Sequence, residues 1–414
     1  MKYFGTDGIR GIYGKGITED LAYRAGRALA YVFGGRALVG RDTRASGPAI
    51  ENALAAGIVS GGADVCLAGV LTTPAVSYLT GSRGCTFGVA VSASHNPPEY
   101  NGLKIFLPDG RKLTAGMESA VEYYTDNVPP RQHTVGLRTE WNGGGEEYAA
   151  MLAACVRAMA ESSGRSYRLQ GLRVLLDHGG GAGKDAAVGL FSGLGAEVRL
   201  LCEECRGECI NVRCGALHPE AMCAVAGGYD LAAAFDGDAD RLVVWSGRLL
   251  AGDEALYNLT RYPLGETVVG TVLTNSALER RLASRGMRLV RTDVGDRSIS
   301  EVMRALGARL GGEPSGHFIV DGACGDGILS AAAIAVLAVT EGLHTFVCDR
   351  QVSCDLPIPH GAPPADRICD AERAARRLAE RVVIRPSGTE PVLRIMAEGG
   401  DAEGAAAVVR EMLS

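Results

Sequence analysis

A chain of 414 residues, 47% hydrophobic and 22% charged, holds enough apolar material for about two to four domains and lacks the polar bias that keeps a chain disordered. Its 42 basic and 48 acidic residues leave a net charge of −6, the wrong sign for a protein whose main work is gripping nucleic acid or anionic lipid. The opening MKYFGTDGIRG has no apolar signal-like stretch, and the longest apolar run, Ile328 to Val339, falls short of the roughly 18 residues a membrane span needs, so a soluble, cytoplasmic protein is expected.

Helix and strand patterns alternate along most of the chain, which predicts α/β layers with largely parallel strands. Thr18 is placed to cap a helix whose apolar positions Leu21, Ala25, Leu29 and Val32 recur at helical spacing, and Gly34-Gly35 ends it. Strands follow at Ala37–Val39, Ala63–Leu67 and Thr86–Val91, up to the Pro129-Pro130 break. After a glycine-rich passage at Asn142–Gly145 the rhythm restarts with a helix and the strands Leu172–Leu176, Glu197–Leu201 and Leu231–Phe235, then again with Val268–Leu273 and Leu289–Thr292. The last stretch is shorter and looks antiparallel. Three similar mixed α/β domains and a smaller C-terminal α+β domain are expected, at residues 1–135, 146–243, 244–343 and 345–414.

The twelve cysteines are too few for a disulfide scaffold. Cys202 and Cys205, with Cys209, Cys214 and Cys223 behind them, have the look of a thiolate metal site, but the later spacings are irregular and no second CxxC follows. Ordinary thiols, serving as small core residues, are the favoured reading.

Four segments carry chemistry. In Ser92-Ala93-Ser94-His95-Asn96-Pro97-Pro98, followed by Lys104, a serine beside a histidine in a proline-stiffened loop can accept a phosphoryl or acyl group, though a self-bonded turn fits as well. In Asp236-Gly237-Asp238-Ala239-Asp240-Arg241, carboxylates at alternate positions can converge on one divalent cation; Mg²⁺ suits such hard oxygen ligands. Glu313-Pro314-Ser315-Gly316-His317 offers donors and acceptors for sugar hydroxyls or an amine, although taken alone it reads more simply as an ordinary surface turn. Arg385-Pro386-Ser387-Gly388-Thr389 combines a guanidinium, two hydroxyls and glycine-exposed N–H groups, the makings of a phosphate cradle or simply a hairpin turn.

One such segment falls in each unit, and the ordered set resembles the α-D-phosphohexomutases over nearly the whole chain. Gly5-Thr6-Asp7-Gly8-Ile9-Arg10-Gly11, Gly40-Arg41-Asp42-Thr43-Arg44, Asn211-Val212-Arg213-Cys214-Gly215, Val294-Gly295-Asp296-Arg297 and Gly325-Asp326-Gly327 belong to the same likeness, and their wording looks like the glucosamine branch. The resemblance implies four domains around a central active-site cleft and an exchange of phosphate between C6 and C1 of a sugar. That reaction passes through a phosphoserine and a bisphosphorylated sugar, which also serves as activator, and in this branch it feeds UDP-N-acetylglucosamine and cell-wall precursors. Ser94 would carry the phosphoryl group; Ser94, Asp236, Asp238 and Asp240 would hold one Mg²⁺; Arg10, His95 and Lys104 would serve the transfer. Arg241, Glu313, Ser315, His317, Arg385, Ser387, Gly388 and Thr389 would bind substrate. The partner is a small sugar phosphate, with no nucleic acid and no membrane, and a homodimer is allowed but not established by any apolar stripe.

Three departures stand out. Pro314 replaces an amide usual in the glucosamine branch, Asp177-His178-Gly179-Gly180-Gly181 lacks the usual asparagine, and the chain is short between Leu343 and Val352 and again before Val382. A phosphomannomutase/phosphoglucomutase with another sugar preference is the nearest rival. A phosphatase using Asp236 as aspartyl nucleophile and a non-catalytic sugar-phosphate sensor are further ones.

Overall fold

The computed structural model describes every residue except Met1, Thr6, 130–134, Cys205, Arg206, His360 and 388–390. Thr18 caps the first helix, Glu19–Phe33, by accepting the Leu21 N–H, and Gly34 at φ 60° ends it. This helix lies flat on Gly47–Ser60 because both surfaces are glycine there: a Cβ on Gly26 would sit 2.3 Å from the Leu54 carbonyl oxygen.

The first domain is built on a seven-stranded sheet in the order Phe4–Gly5, Gly8–Ile12, Tyr100–Phe106, Phe87–Val91, Arg36–Arg41, Asp64–Val70, Arg138–Glu140. The edge strand Arg138–Glu140 joins this sheet from beyond residue 135, where the sequence placed the domain's end. Four-stranded sheets follow. One runs Leu242–Trp245, Leu231–Phe235, Arg173–Asp177, Glu197–Leu200, and the next Arg288–Thr292, Thr267–Thr271, Leu310–Gly312, Phe318–Val320. A three-stranded sheet, Gln351–Pro357, Val392–Glu398, Arg381–Pro386, closes the chain.

The expectation of largely parallel strands needs correction for the first three sheets, each of which mixes directions, while the last is antiparallel throughout, as expected. Phe87–Val91 pairs antiparallel with Tyr100–Phe106, Leu231–Phe235 with Leu242–Trp245, Leu310–Gly312 with Phe318–Val320, and Arg381–Pro386 with Val392–Glu398. The physical reason is loop length: a strand that returns after a few residues can only lie antiparallel to the one it left. Those four short returns are the four segments singled out for their chemistry, so each domain presents its candidate loop at the same point of its topology.

The first three domains share one continuous apolar core. At its centre lies the helix Gly327–Thr340, apolar on all sides and buried almost throughout, which accounts for the longest apolar run. The fourth domain keeps a separate core around Leu356, Ala375, Val382, Leu393, Ile395 and Val409. It meets the third through a polar seam, in which Arg381 donates to the Val272 and Thr274 carbonyls and Glu398 accepts from the Ser276 N–H. Among the described residues no helix is long and apolar enough to cross a membrane.

Candidate active site

Ser94 sits just past the buried strand Phe87–Val91 with φ +49°, a left-handed conformation that a serine adopts only where its surroundings impose it. The surroundings are explicit. Arg44, wholly buried and paired with Asp42 at 3.0 Å, donates to the carbonyls of Ser94 and Asn96 at 2.8 Å each and to those of Pro97 and Tyr100. Asn211 reaches across from the second domain to the Ser94 and Asn96 carbonyls at 2.8 and 3.1 Å. Ser92 Oγ accepts the Ser94 N–H and donates to Asp42. The segments Gly40–Arg44 and Asn211–Gly215 therefore hold the serine loop, a task their sequence does not disclose.

Ser94 Oγ donates to Asp236 Oδ2 at 2.6 Å, across the boundary between the first and second domains, and lies 3.5 Å from Asp240 Oδ1. The turn Asp236–Asp240 is itself left-handed at Ala239, φ +58°, and Gly237 lets it press on the serine loop, since a Cβ there would stand 2.9 Å from the Ser94 carbonyl oxygen. Asp236, Asp238 and Asp240 bring oxygens within 4.8 Å of one another, forming the single cluster with metal-ligating potential among the described residues. Burial, and then the charges of Asp240 and Asp238, push the Asp236 carboxyl well above its usual range. Asp238 Oδ1 is buried with no hydrogen-bond partner. Crowded hard oxygens, one of them unsatisfied, fit a divalent cation.

Lys104, 1% exposed, contacts Asp238 and Asp240 at 2.8 Å and Asp7 at 3.3 Å. Burial opposes its charge, but these three carboxylates outweigh it and hold the ammonium well above its ordinary value. His95 differs. Its Nδ1 faces Ser94 Oγ at 3.3 Å, and burial, followed by the Arg241 and Arg10 charges, lowers its pKa to about 4, leaving a neutral imidazole beside the hydroxyl. Arg10 donates to Asn96 at 2.7 Å and to Asp7 at 2.5 Å.

Ser94, His95, Arg10, Asp240, Arg241, Glu313, His317, Arg385 and Ser387 line one cleft between the four domains, so the structure brings together most of the residues singled out in the sequence. His317 lies between Asp240 at 3.7 Å and Asp296 at 3.9 Å, and Glu313 accepts the Gly295 N–H at 3.1 Å. Ser315 is exposed at the tip of its turn and is not among the lining residues. Gly388 and Thr389 lie outside the described residues. The sequence reading missed Arg394, which lines the cleft directly opposite Arg385 on the neighbouring strand. Burial, then the Arg394 charge, lowers the Arg385 pKa, the signature of cations gathered before an anion arrives. Repetition of arginine after the RPSGT segment was the signal available.

The cysteine cluster forms no metal site among the described residues. Cys209 and Cys202 are exposed, Cys214 and Cys223 partly buried, and Cys205 lies outside the described residues.

Comparison with known proteins agrees with this architecture. The chain matches the phosphoglucomutase/phosphomannomutase α/β/α domain I over residues 1–131, domain II over 146–248, domain III over 249–347 and the C-terminal domain over 368–414. It belongs to this family, the α-D-phosphohexomutases, and is a mutase. Among its relatives is the protein named phosphoglucosamine mutase from Thermotoga sp. (strain RQ2), 38% identical over 432 residues that span 100% of this chain and 99% of the other. Another, from Alkalilimnicola ehrlichii and named likewise, is 39% identical over 446 residues, covering 99% and 97%. The crystal structure of a phosphoglucomutase/phosphomannomutase family protein from Burkholderia thailandensis superposes with a TM-score of 0.80 at 24% identity, covering 99% of this chain and 95% of that one. An Aspergillus fumigatus N-acetylphosphoglucosamine mutase, solved with GlcNAc-6P and magnesium, does so at 0.63 and 16%, covering 100% and 96%.

Proposed function

We propose that this mutase interconverts glucosamine 6-phosphate and glucosamine 1-phosphate in the cytoplasm, with the phosphoryl group carried on Ser94. The observation that bears most weight is the placement of Ser94 Oγ 2.6 Å from Asp236 in a cleft that ends, on its far side, in the Arg385 and Arg394 pair. A phosphoryl group enters at one end and a second phosphate is gripped at the other. The full-length relatives named phosphoglucosamine mutase support the choice of sugar.

Phosphorylated Ser94 gives its phosphoryl group to the free hydroxyl of the bound sugar monophosphate: the serine Oγ–P bond breaks, the sugar O–P bond forms, and the proton of the sugar hydroxyl ends on the serine Oγ. The neutral imidazole of His95, 3.3 Å from Ser94 Oγ, is placed to relay a proton there, and Arg10 and Arg241 stabilise charge on the moving group. The bisphosphate turns over and returns its other phosphate to Ser94, Glu313 holding sugar hydroxyls in both orientations and Arg385, Arg394 and Ser387 holding the resting phosphate. Asp236, Asp238 and Asp240, with Ser94, would hold Mg²⁺, which supplies charge neutralisation at the phosphoryl oxygens. A trace of sugar bisphosphate primes Ser94.

Phosphorus NMR of the phosphorylated protein with Mg²⁺, offered glucosamine, glucose and mannose 6-phosphates in parallel, tests the reading. Isomerisation of the glucosamine phosphate at much the highest kcat/KM, with an inert Ser94→Ala variant, is the expected result. Preference for glucose or mannose phosphate would keep the mechanism and reverse the sugar assignment.

A further inference from the structure

Six buried or half-buried ionisable side chains at the floor of the cleft close into a ring in which carboxylates alternate with lysines and a histidine. Asp7 meets Lys104, Lys104 meets Asp240, Asp240 meets His317, His317 meets Asp296, Asp296 meets Lys112, and Lys112 returns to Asp7. Three members come from the first domain, one from the second and two from the third. Lys112 is the member that joins the first domain to the third. A tight turn delivers it: Gly110 takes φ +78°, the Leu107 and Gly110 N–H groups close the turn, and Ser77 pins the Gly110 carbonyl at 2.6 Å. Its side chain is 11% exposed and bonds both Asp7 and Asp296. Burial works against the charge of Lys112, and Asp296 and Asp7 more than offset it.

Each partner of Lys112 leads to a different part of the reaction. Asp7 orients the Arg10 guanidinium, which faces the serine loop through Asn96. Asp296 begins the helix Asp296–Leu306 next to Gly295, whose N–H fixes Glu313 on the sugar side. The following residue, Arg297, pairs with Glu118 of the first domain, so two successive residues of this helix cross the same boundary. Building on the function proposed above, we propose that Lys112 is a positioning residue that sets the phosphoryl-transfer side of the cleft against the sugar side, through Asp7 and Arg10 in one direction and Asp296 and Glu313 in the other.

The structure also supplies the means of testing it. Lys112, Asp296 and His317 face a second cleft of about 100 Å³ between the first and third domains, walled by Leu107, Arg111, Thr114, Arg304 and Cys324. A small ammonium ion can reach the vacated position from that side in Lys112→Ala. With the full chain, Mg²⁺ and glucosamine 6-phosphate, Lys112→Ala should lose about 100-fold in kcat/KM, the scale seen when a group that orients a functional residue is removed. Ethylammonium should restore about tenfold or more, saturably. Tetramethylammonium, which has no N–H, should restore nothing, and Lys112→Arg should stay within about tenfold of wild type. Activity of Lys112→Ala within about threefold of wild type, or a loss that ethylammonium leaves untouched, would overturn the proposal. Hydrogen exchange of the same variants decides independently of turnover. Faster exchange at both residues 8–12 and 296–300 in Lys112→Ala and in Asp296→Asn is expected, and unchanged exchange in both would also overturn it. A wild-type protein inert on all three sugar phosphates would count instead against the proposed reaction, with the exchange result still judging Lys112.

Discussion

The two ends of the cleft are built in opposite ways. At one end Ser94 and Asp236 meet across a domain boundary at the edge of the large shared core, which takes in Phe235 and Ala239, and the strained serine is fixed by Arg44, Asn211 and Ser92 together. At the other end Arg385 stands on a three-stranded sheet with its own small core, tied to the rest by a seam of polar contacts around Arg381 and Glu398. Phosphoryl transfer depends on positioning, which demands the first kind of construction. A site that must take the same sugar in two orientations and release it needs the second, because polar seams between separate cores open at lower cost than a continuous apolar core. Closure of the fourth domain over the substrate is the expectation this difference raises, and small-angle scattering should then show a more compact protein with bound sugar phosphate than without.

Changes at the rigid end should therefore be costly to both fold and function, and changes at the mobile end costly to binding alone. The largest effect is expected from Arg44→Met, which leaves Asp42 buried without its partner: about 3–5 kcal/mol of stability lost in denaturant unfolding, with activity falling alongside. Removing divalent metal with a chelator should abolish turnover, and adding Mg²⁺ should raise the melting temperature in proportion to the logarithm of its concentration; a melting temperature indifferent to Mg²⁺ would count against the aspartate cluster as its site. Arg394→Ala, at the mobile end, should raise KM for both sugar monophosphates about 10–100-fold while leaving Ser94 phosphorylation and the melting temperature near wild type.

The smallest effect concerns the seam itself. Burial raises the Asp253 carboxyl to about 7, against the help of the Asn275 N–H, with Glu398 pushing the same way and Arg381 and Arg291 opposing. Because its folded value lies above the ordinary carboxylate value, its favourable contribution is complete below about pH 4 and is lost as the pH climbs through 7. Asp253→Asn should accordingly melt a few degrees above wild type at pH 8 and show no such advantage at pH 4.

The sequence disclosed the chemistry better than its support. Ser94, the three aspartates and Arg385 are legible because each group needs its neighbours within one short loop, so motif and function coincide. Arg44, Asn211, Asp7 and Asp296 stand in segments that carry the likeness, but their tasks are set by partners far along the chain, and Lys112, 184 positions from Asp296, stands in no such segment. The antiparallel return strands escaped notice for a different reason. Leu242–Trp245 and Phe318–Val320 are too short for periodicity to give a direction, which the loop before them settles instead. Thr18 and Gly34, by contrast, bound the first helix where local capping rules place them.

The most direct test of the whole account is a single turnover. Protein carrying phosphate on Ser94 is mixed with one equivalent of glucosamine 6-phosphate, and the reaction is followed by intact-protein mass and phosphopeptide mapping. Loss of the phosphate from Ser94 matched by appearance of glucosamine 1,6-bisphosphate is the predicted result. Phosphate found on Asp236, or sugar isomerised with no bisphosphate formed and no transient loss of phosphate from Ser94, would contradict it.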